Sequence, residues 1–249
     1  GAVVAYRESS SPKAHASLTA VFIQEMLSER GLTIADCNAV CVSMGPGSYT
    51  GLRVGVSTAK GLCFGAGKPL LAVGTLDTLV AQAKIPEIPG EAEDDVVTGD
   101  LSLTEDDVVT GDNGKDGSDG KDGGDVIPDL IGDPRFIIPM IDARRMEVYT
   151  ALYTHSLQST TPVQAAIVDE HFAQQSSAAP IYYFGDGATK CQSLLTQWHF
   201  IPDIVPQAQY MGALAEKAEK HITGPQIAYF EPFYLKEFVA AQSHVKGLK

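Results

Sequence analysis

The stretch AVCVSMGPGSYTGLRVGVSTAKGLCFGAGKPLLAV, residues 39–73, constrains the fold more than any other part of the chain. Its first run, 39–44, is apolar apart from Ser43, the composition of a strand covered on both faces. Gly45-Pro46-Gly47 breaks any regular element, because glycine admits positive φ and proline fixes its own. Ser48 or Thr50 is placed to cap a helix by accepting a hydrogen bond from one of its orphan N–H groups. From Gly51 to Phe64 the period is helical, with Leu52, Val56, Ala59 and Cys63 on one stripe. Gly65-Ala66-Gly67 stops that helix, Pro69 forbids its return, and Leu70–Val73 reads as a second buried strand. Strand, glycine turn, helix and strand make a βαβ unit, so the chain is α/β with a parallel or mixed sheet.

Around this unit the pattern is consistent. Ala2–Tyr6 is strand-like and reads as one arm of a hairpin. An arm needs a partner, so the reading expects a chain that begins partway through its first domain. Pro12–Arg30 reads as a helix with Leu18, Val21, Phe22, Met26 and Leu27 on one face and Gly31 as its stop. Leu76–Ala83 is a short amphipathic helix. Past residue 135 come strands at Phe136–Ile141 and Met146–Tyr153 around a charged turn at Asp142–Arg145, then a strand at Pro180–Phe184. Gly185-Asp186-Gly187 then leads into a predicted helix from Ala188 to Trp198, repeating the plan of the first unit. A helix is predicted at Gln209–His221 with Met211, Leu214 and Ala218 inward. The aromatic tail AYFEPFYLKEFV is expected to be extended and packed on the body.

Between the two halves the composition changes. Residues 85–134 hold 16 of the 31 acidic residues and two of the 18 basic ones, and EDDVVTGD occurs there twice, at 93–100 and 105–112. A one-signed segment without aromatics cannot bury enough apolar surface to offset its ordering entropy, so it reads as a flexible acidic insertion. A weak divalent-ion site at Asp112, Asp116 and Asp119 is the sharper alternative, although an EF-hand would need glutamate where Gly123 stands. Outside the insertion 16 basic residues face 15 acidic ones, so net charge announces no nucleic-acid footprint. No run is long and apolar enough to span a membrane. Cys37, Cys41, Cys63 and Cys191 form no CxxC and read as small core residues of a reducing cytoplasm.

Chemistry is sparse. A glycine turn feeding a helix N-terminus is an anion site in principle, which makes Gly45, Gly47, Ser48, Gly185 and Gly187 candidates for a phosphate or weak ATP/ADP contact. A tight strand–helix connection explains them equally, since Lys60 lies too far on for a Walker motif and the spacing is not GxGxxG. No GxSxG elbow is present, and the six histidines are scattered singly without HExxH, so no catalytic or metal residue is assigned. Asp142, Arg144 and Arg145 are read as a solvated turn or a recognition feature.

GPGSYTGLRVGVSTAKGLCFG, PMIDARRMEVYTALY, YFGDGA and EPFYLKEFVA, with the SPKAHASL helix start, resemble in order the segments of the TsaB (YeaZ) family of tRNA threonylcarbamoyladenosine proteins. The resemblance implies the actin-like (sugar kinase/Hsp70) fold, two ribonuclease-H-like lobes at residues 1–84 and 135–249. It further implies a first strand with a D-T-S type turn that this sequence does not show, so the N-terminal lobe is expected to be one strand short. In function it implies a cytoplasmic, non-catalytic partner of a TsaD-like catalytic subunit and a TsaE-like ATPase. Such a protein homodimerises when alone and meets tRNA only through the complex. The catalytic paralogue carries HxxxH after the same unit; here those positions hold Thr75 and Leu79, and leucine cannot bind a metal. The helix after the GPG turn is therefore the expected contact surface, through Leu52, Val54, Gly55, Thr58, Ala59 and Leu62. The rival is an actin-fold enzyme, a peptidase or ATP-hydrolysing kinase.

Overall fold

The structure, a computed structural model, describes residues 2–9, 15–83, 136–154, 156–175, 179–218 and 221–236. The acidic insertion expected at 85–134 lies outside the described residues. Helix α1 (His15–Glu29) is followed by strand β1 (Val40–Gly45), helix α2 (Tyr49–Ala66), strand β2 (Leu70–Gly74) and helix α3 (Thr75–Gln82). β1 and β2 are parallel, Val40 opposite Leu70 through Ser43 opposite Val73, so the βαβ unit forms as its sequence requires. Ser48 caps α2, its hydroxyl accepting from the Gly51 N–H at 3.4 Å, and Gly67 ends the helix at φ 64°, the left-handed stop that glycine supplies without steric cost.

Both faces of the β1–β2 sheet are covered, which is why its strands read as apolar runs. On one face Val42 and Leu70 meet Val56, Ala59 and Cys63 of α2, together with Ile222 and Ile227. Those three α2 residues and Leu52 are the predicted stripe, and all four are buried. On the other face Cys41, Leu71 and Val73 meet Met211, Leu214 and Ala215 of helix α5 (Met211–Glu216). The last described segment thus returns to the first sheet. Leu70 and Ile222 exchange backbone hydrogen bonds of 2.9 and 3.0 Å, and a short helix α6 (Gln226–Tyr229) leads into the extended tail.

The second sheet comprises β3 (Phe136–Asp142), β4 (Glu147–Thr150), β5 (Tyr153–Thr154), β6 (Gln164–Ile167), β7 (Ile181–Phe184) and β8 (His199–Phe200), with α4 (Glu170–Ala173) between β6 and β7. Its order is β6-β4-β3-β7-β8, antiparallel from β6 to β3 and parallel from β3 to β8, with β5 also on β3. Alternate residues of β3 serve two cores. Phe136, Ile138 and Met140 face Phe172, Tyr183 and Trp198, whereas Ile137 and Ile141 face Leu76, Leu79 and Val80 of α3. α3 therefore fastens the first unit to the second sheet. The contact is completed where the Tyr153 hydroxyl donates to Asp77 Oδ1 at 2.7 Å.

Several expectations are corrected. Ala2–Tyr6 forms no strand; among the described residues nothing lies beside it as a ladder partner, and Val3 and Val4 are 55% and 63% exposed. The predicted strand 146–153 appears as β4 and β5 because it runs beside Pro139 of β3. Met140 opposes Thr150 and Ile137 opposes Tyr153 in one register, but proline has no N–H for the intervening rung. The Pro139 carbonyl instead accepts from the Thr150 hydroxyl at 2.8 Å. The helix predicted at 188–198 is only a 3₁₀ turn, Thr189–Cys191, followed by turns, since the chain must drop Leu195 and Trp198 into the core before starting β8. The helix predicted at 209–221 stops at Glu216 with Ala215 as its buried residue, because Ile222 has to reach Leu70. β6, α4 and β8 are further elements that the pattern does not announce.

Candidate functional site

α2 presents three faces. Its core face is buried, and its outer edge, Arg53, Ser57 and Phe64, is exposed, Phe64 to 81%. Between them lie Val54, Gly55, Thr58 and Leu62, all half-buried, and α1 packs alongside α2. On α1 Leu18, Phe22, Ile23, Met26 and Leu27 are likewise half-buried, whereas Val21, expected on the same face, is 44% exposed. Of the six expected contact residues, Leu52 and Ala59 are buried, at 9% and 5% exposure. The other four retain apolar surface. Among the described residues, the apolar side chains along this helix pair are thus only half covered.

Beside α2 runs a cleft of about 510 Å³. Its walls include Gly55, Thr58, Ala59 and Leu62 of α2, Ile23 of α1, Val40–Ser43 of β1, and Pro206, Ala208 and Met211. Residues of both glycine turns, Pro46-Gly47-Ser48 and Asp186, also line it.

The turns themselves are closely packed. Gly45 has φ 111° and follows the ladder of β1 into a cis bond with Pro46; a Cβ there would stand 2.7 Å from the Phe233 carbonyl of the tail. Gly185 has φ 115°, and a Cβ on it would fall 2.1 Å from the Met140 carbonyl. A Cβ on Gly187 would fall 2.7 Å from Ile141 C, and its N–H already donates to Met140 O at 3.0 Å. Glycine at 185 and 187 is thus required by the approach of this turn to the backbone of β3. The Asp186 carboxylate accepts from the Asp142 N–H at 3.2 Å, and burial pushes its pKa above the ordinary carboxylate range against that bond. Gly47 meets nothing within 4 Å and Ser48 is occupied as the α2 cap, so the first turn is the more open of the two. In the nearby turn Asp142 is held by Lys190, while Arg144 and Arg145 adopt φ 74° and 50°.

Thr75 and Leu79 sit at the start and middle of α3. The Thr75 and Ser43 hydroxyls share a hydrogen bond of 2.6 Å, and Leu79 is 0% exposed among Leu76, Ile137, Ile141 and Phe184. Both positions are used for packing. Of the four cysteines expected in the core, Cys63 and Cys191 are buried, whereas Cys37 and Cys41 are half-buried.

Three anchoring contacts lie beyond any sequence signal. Lys60 Nζ donates to the carbonyls of Ala228 and Phe230 at 2.6 and 3.0 Å, the Tyr49 and Tyr234 rings meet at 5.0 Å, and Lys236 pairs with Glu147. They hold the tail across α2 and the second sheet, over separations that no local pattern encodes.

Comparison with known proteins agrees with this architecture. The family profile described as TsaD, tRNA N6-adenosine threonylcarbamoyltransferase, matches residues 8–94. The tRNA threonylcarbamoyladenosine biosynthesis protein TsaB of Escherichia coli is 38% identical over 72 residues, 29% of this chain and 31% of that protein. The tRNA N6-adenosine threonylcarbamoyltransferase of Maricaulis maris is 39% identical over 75 residues, 30% of this chain and 20% of that protein. The chain therefore matches less than a third of the length of these curated relatives. Among solved structures, a Pseudomonas aeruginosa protein described as similar to peptidase YEAZ superposes with TM-score 0.58 at 18% identity, covering 90% of this chain and 86% of that one. YeaZ from Pseudomonas aeruginosa does so with TM-score 0.58 at 19% identity. In sequence the chain is similar to TsaB and TsaD proteins, and over 90% of its length its fold is that of the TsaB/YeaZ proteins.

Proposed function

We propose that this chain is a non-catalytic partner subunit in the formation of threonylcarbamoyladenosine beside the anticodon of tRNA. It acts by binding a TsaD-like catalytic protein that works with a TsaE-like ATPase. The observation that carries the reading is the state of Thr75 and Leu79. Where the resemblance sets the metal-binding histidines of the catalytic paralogue, this chain has a hydroxyl bonded to Ser43 and a leucine sealed in the core. The name of the Escherichia coli relative supports the process, and the half-buried face of α1 and α2 supports binding as the means.

The strand order β6-β4-β3-β7-β8 supports an actin-like reading, with a ribonuclease-H-like lobe after residue 134 and a second lobe at 1–84, on which residues 211–215 and 222–230 return to pack. Alone, the chain homodimerises through the α1–α2 face, and it meets tRNA only within the complex. It works in the cytoplasm; no described helix is long and apolar enough to cross a membrane. The second glycine turn is assigned to packing rather than to a nucleotide.

Reconstitution tests the role. TsaD, TsaE, tRNA, threonine, bicarbonate and ATP should yield modified tRNA with this chain and not without it. Val54→Glu or Leu62→Glu should abolish TsaD pull-down while leaving the melting temperature within about 3 °C, since neither side chain is in the core. Modification that proceeds equally without the chain would reject the role, and metal-dependent turnover by the chain alone would favour the enzymatic rival.

A further inference from the structure

The outer edge of α2 and the tail that crosses it form a surface that the proposed partner strip does not use. Tyr49, Arg53, Lys60 and Phe64 follow one another at spacings of four, seven and four residues. They therefore lie along one stripe of the helix, about 22 Å long at the usual rise. Phe64 is 81% exposed, and Tyr229 of α6 is 84% exposed. Both rings stand beside Lys60. Phe64 is one turn beyond it, and Lys60 Nζ donates at 2.6 Å to the carbonyl of Ala228, the residue before Tyr229. At the other end the Arg53 guanidinium lies over the Tyr49 ring at 5.4 Å, and the Tyr49 ring meets that of Tyr234. A cavity of about 320 Å³ is walled by these groups of α2 and the tail, with Ser57 and Glu231 among them.

The charges on this surface are not spent on each other. Arg53 is exposed and pairs with no carboxylate among the described residues; its contacts are the ring and hydroxyl of Tyr49. Lys60 gives two of its three donors to tail carbonyls, which anchor the ammonium without neutralising it. Glu231 is the one carboxylate in the cavity wall, so two cations face one anion. An apolar partner would strip water from Arg53 and Lys60 and return no counter-charge. An acidic one would leave the Phe64 and Tyr229 rings uncovered. A single strand of nucleic acid offers a phosphate and a π face at every step, which is the alternation of cation and ring seen here. A duplex keeps its bases stacked on one another and offers this stripe phosphates alone.

We infer that the outer edge of α2, with Tyr229 and the tail, binds the unpaired loop of an RNA, its bases stacking on Phe64 and Tyr229 and its phosphates meeting Arg53 and Lys60. The inference rests on the proposed role, in which that RNA is tRNA and the loop is the one that holds the anticodon. This edge of α2 is distinct from Val54, Gly55, Thr58 and Leu62, so a TsaD-like protein and the RNA occupy the helix together. Two cations on a body of nearly balanced charge supply a small share of the phosphate attraction. The rest comes from the complex, and this chain adds the choice of a loop over a duplex.

The test is the anisotropy of a fluorescein-labelled anticodon stem–loop RNA titrated with TsaD and the full chain together. The double variant Phe64→Ser/Tyr229→Ser should weaken binding about tenfold or more, since two stacking rings are lost. Arg53→Glu should weaken it about fivefold or more and make it less sensitive to salt. Ile167→Ser, at an equally apolar position 45% exposed on β6, should change nothing. All the altered side chains are exposed, so melting temperature and TsaD pull-down should match those of the unaltered chain. The same RNA annealed to its complement should bind about fivefold or more weakly and should not distinguish the double variant. Unaltered affinity in the double variant, or equal binding of the annealed duplex, would overturn the inference. So would polyglutamate that competes as well as RNA of the same charge, because stacking would then contribute nothing. Intact TsaD pull-down with unchanged RNA affinity removes this inference alone, whereas failure of the unaltered chain to bind TsaD removes the proposed role with it.

Discussion

Replacing Leu79 by histidine asks whether the α3 position has any remaining aptitude for a ligand. Leu79 is 0% exposed, enclosed by Leu76, Val80, Ile137, Ile141 and Phe184 in the core that joins α3 to the second sheet. Loss of a fully buried leucine removes about 1.5–3 kcal/mol of burial. An imidazole N–H placed among these side chains finds no acceptor, which adds about 1–3 kcal/mol. Leu79→His should therefore cost about 2.5–6 kcal/mol. With a urea slope of about 3 kcal/mol per molar, the midpoint falls by about 1 M or more. Leu79→Met, which keeps the volume, should cost less than about 1.5 kcal/mol and separates burial from polarity. Thr75→His adds the loss of the 2.6 Å bond to Ser43, about 1 kcal/mol. If the two positions form a latent metal site, zinc would restore the double variant, because metal binding free energy becomes folding free energy. The measurement is a urea titration of each variant with and without zinc. A cost below about 1 kcal/mol for Leu79→His, or zinc rescue of the double variant, would refute the assignment of these positions to packing.

Two other perturbations probe the contacts between the halves of the molecule and the groups buried beside them. Tyr153→Phe removes the donor to Asp77 and should cost about 1–2 kcal/mol in urea titration, the low side of a bond to a charged group because Asp77 is exposed to water; a change within about 0.3 kcal/mol would mean that the contact does not tie α3 to the sheet. Burial pushes the Cys41 and Cys191 thiols up to about 11 and raises the Tyr153 phenol above its usual range. Groups with raised folded pKa contribute fully below their unfolded values, about 8.5 for a thiol and 10 for a phenol, and that contribution is lost as pH rises toward the folded value. Unfolding free energy should therefore decline above about pH 8.5 and more steeply above about pH 10, and Cys191→Ala should flatten the first part; a curve level from pH 7 to 10 would count against it.

The first unit was legible because everything that builds it is local. The Leu52, Val56, Ala59 and Cys63 stripe, the Ser48 cap and the Gly67 stop lie within one span of twenty residues and agree with one another, and the structure keeps all of them. Local signals misled where a distant contact outweighed them. Ala2–Tyr6 has strand composition, yet a strand exists only with a ladder partner and none stands beside it among the described residues. Residues 188–198 have helical periodicity, but Leu195 and Trp198 have to reach the Phe172 and Tyr183 core, and β8 has to start at His199 beside β7. The gap between β4 and β5 was foreseeable in part, since Pro139 is visible in the sequence and only the rung it faces had to be known.

The candidate surface shows the same limit from the other side. Periodicity gives α2 two apolar directions but does not say which residues each direction claims. Leu52 and Ala59 look equal to Val54 and Leu62 in the sequence. They differ because Leu52 is packed beside Gly45 and Ala59 lies in the core that α2 builds on one face of β1–β2, α5, far along the chain, taking the other. What remains on α2 is a narrower strip, Val54, Gly55, Thr58 and Leu62, and it is continuous with the half-buried face of α1. A partner that uses this strip touches both helices at once. Charge placed on α1, as in Phe22→Glu, should then weaken TsaD binding about as much as Leu62→Glu does, even though the helix after the glycine turn alone carries the sequence signature.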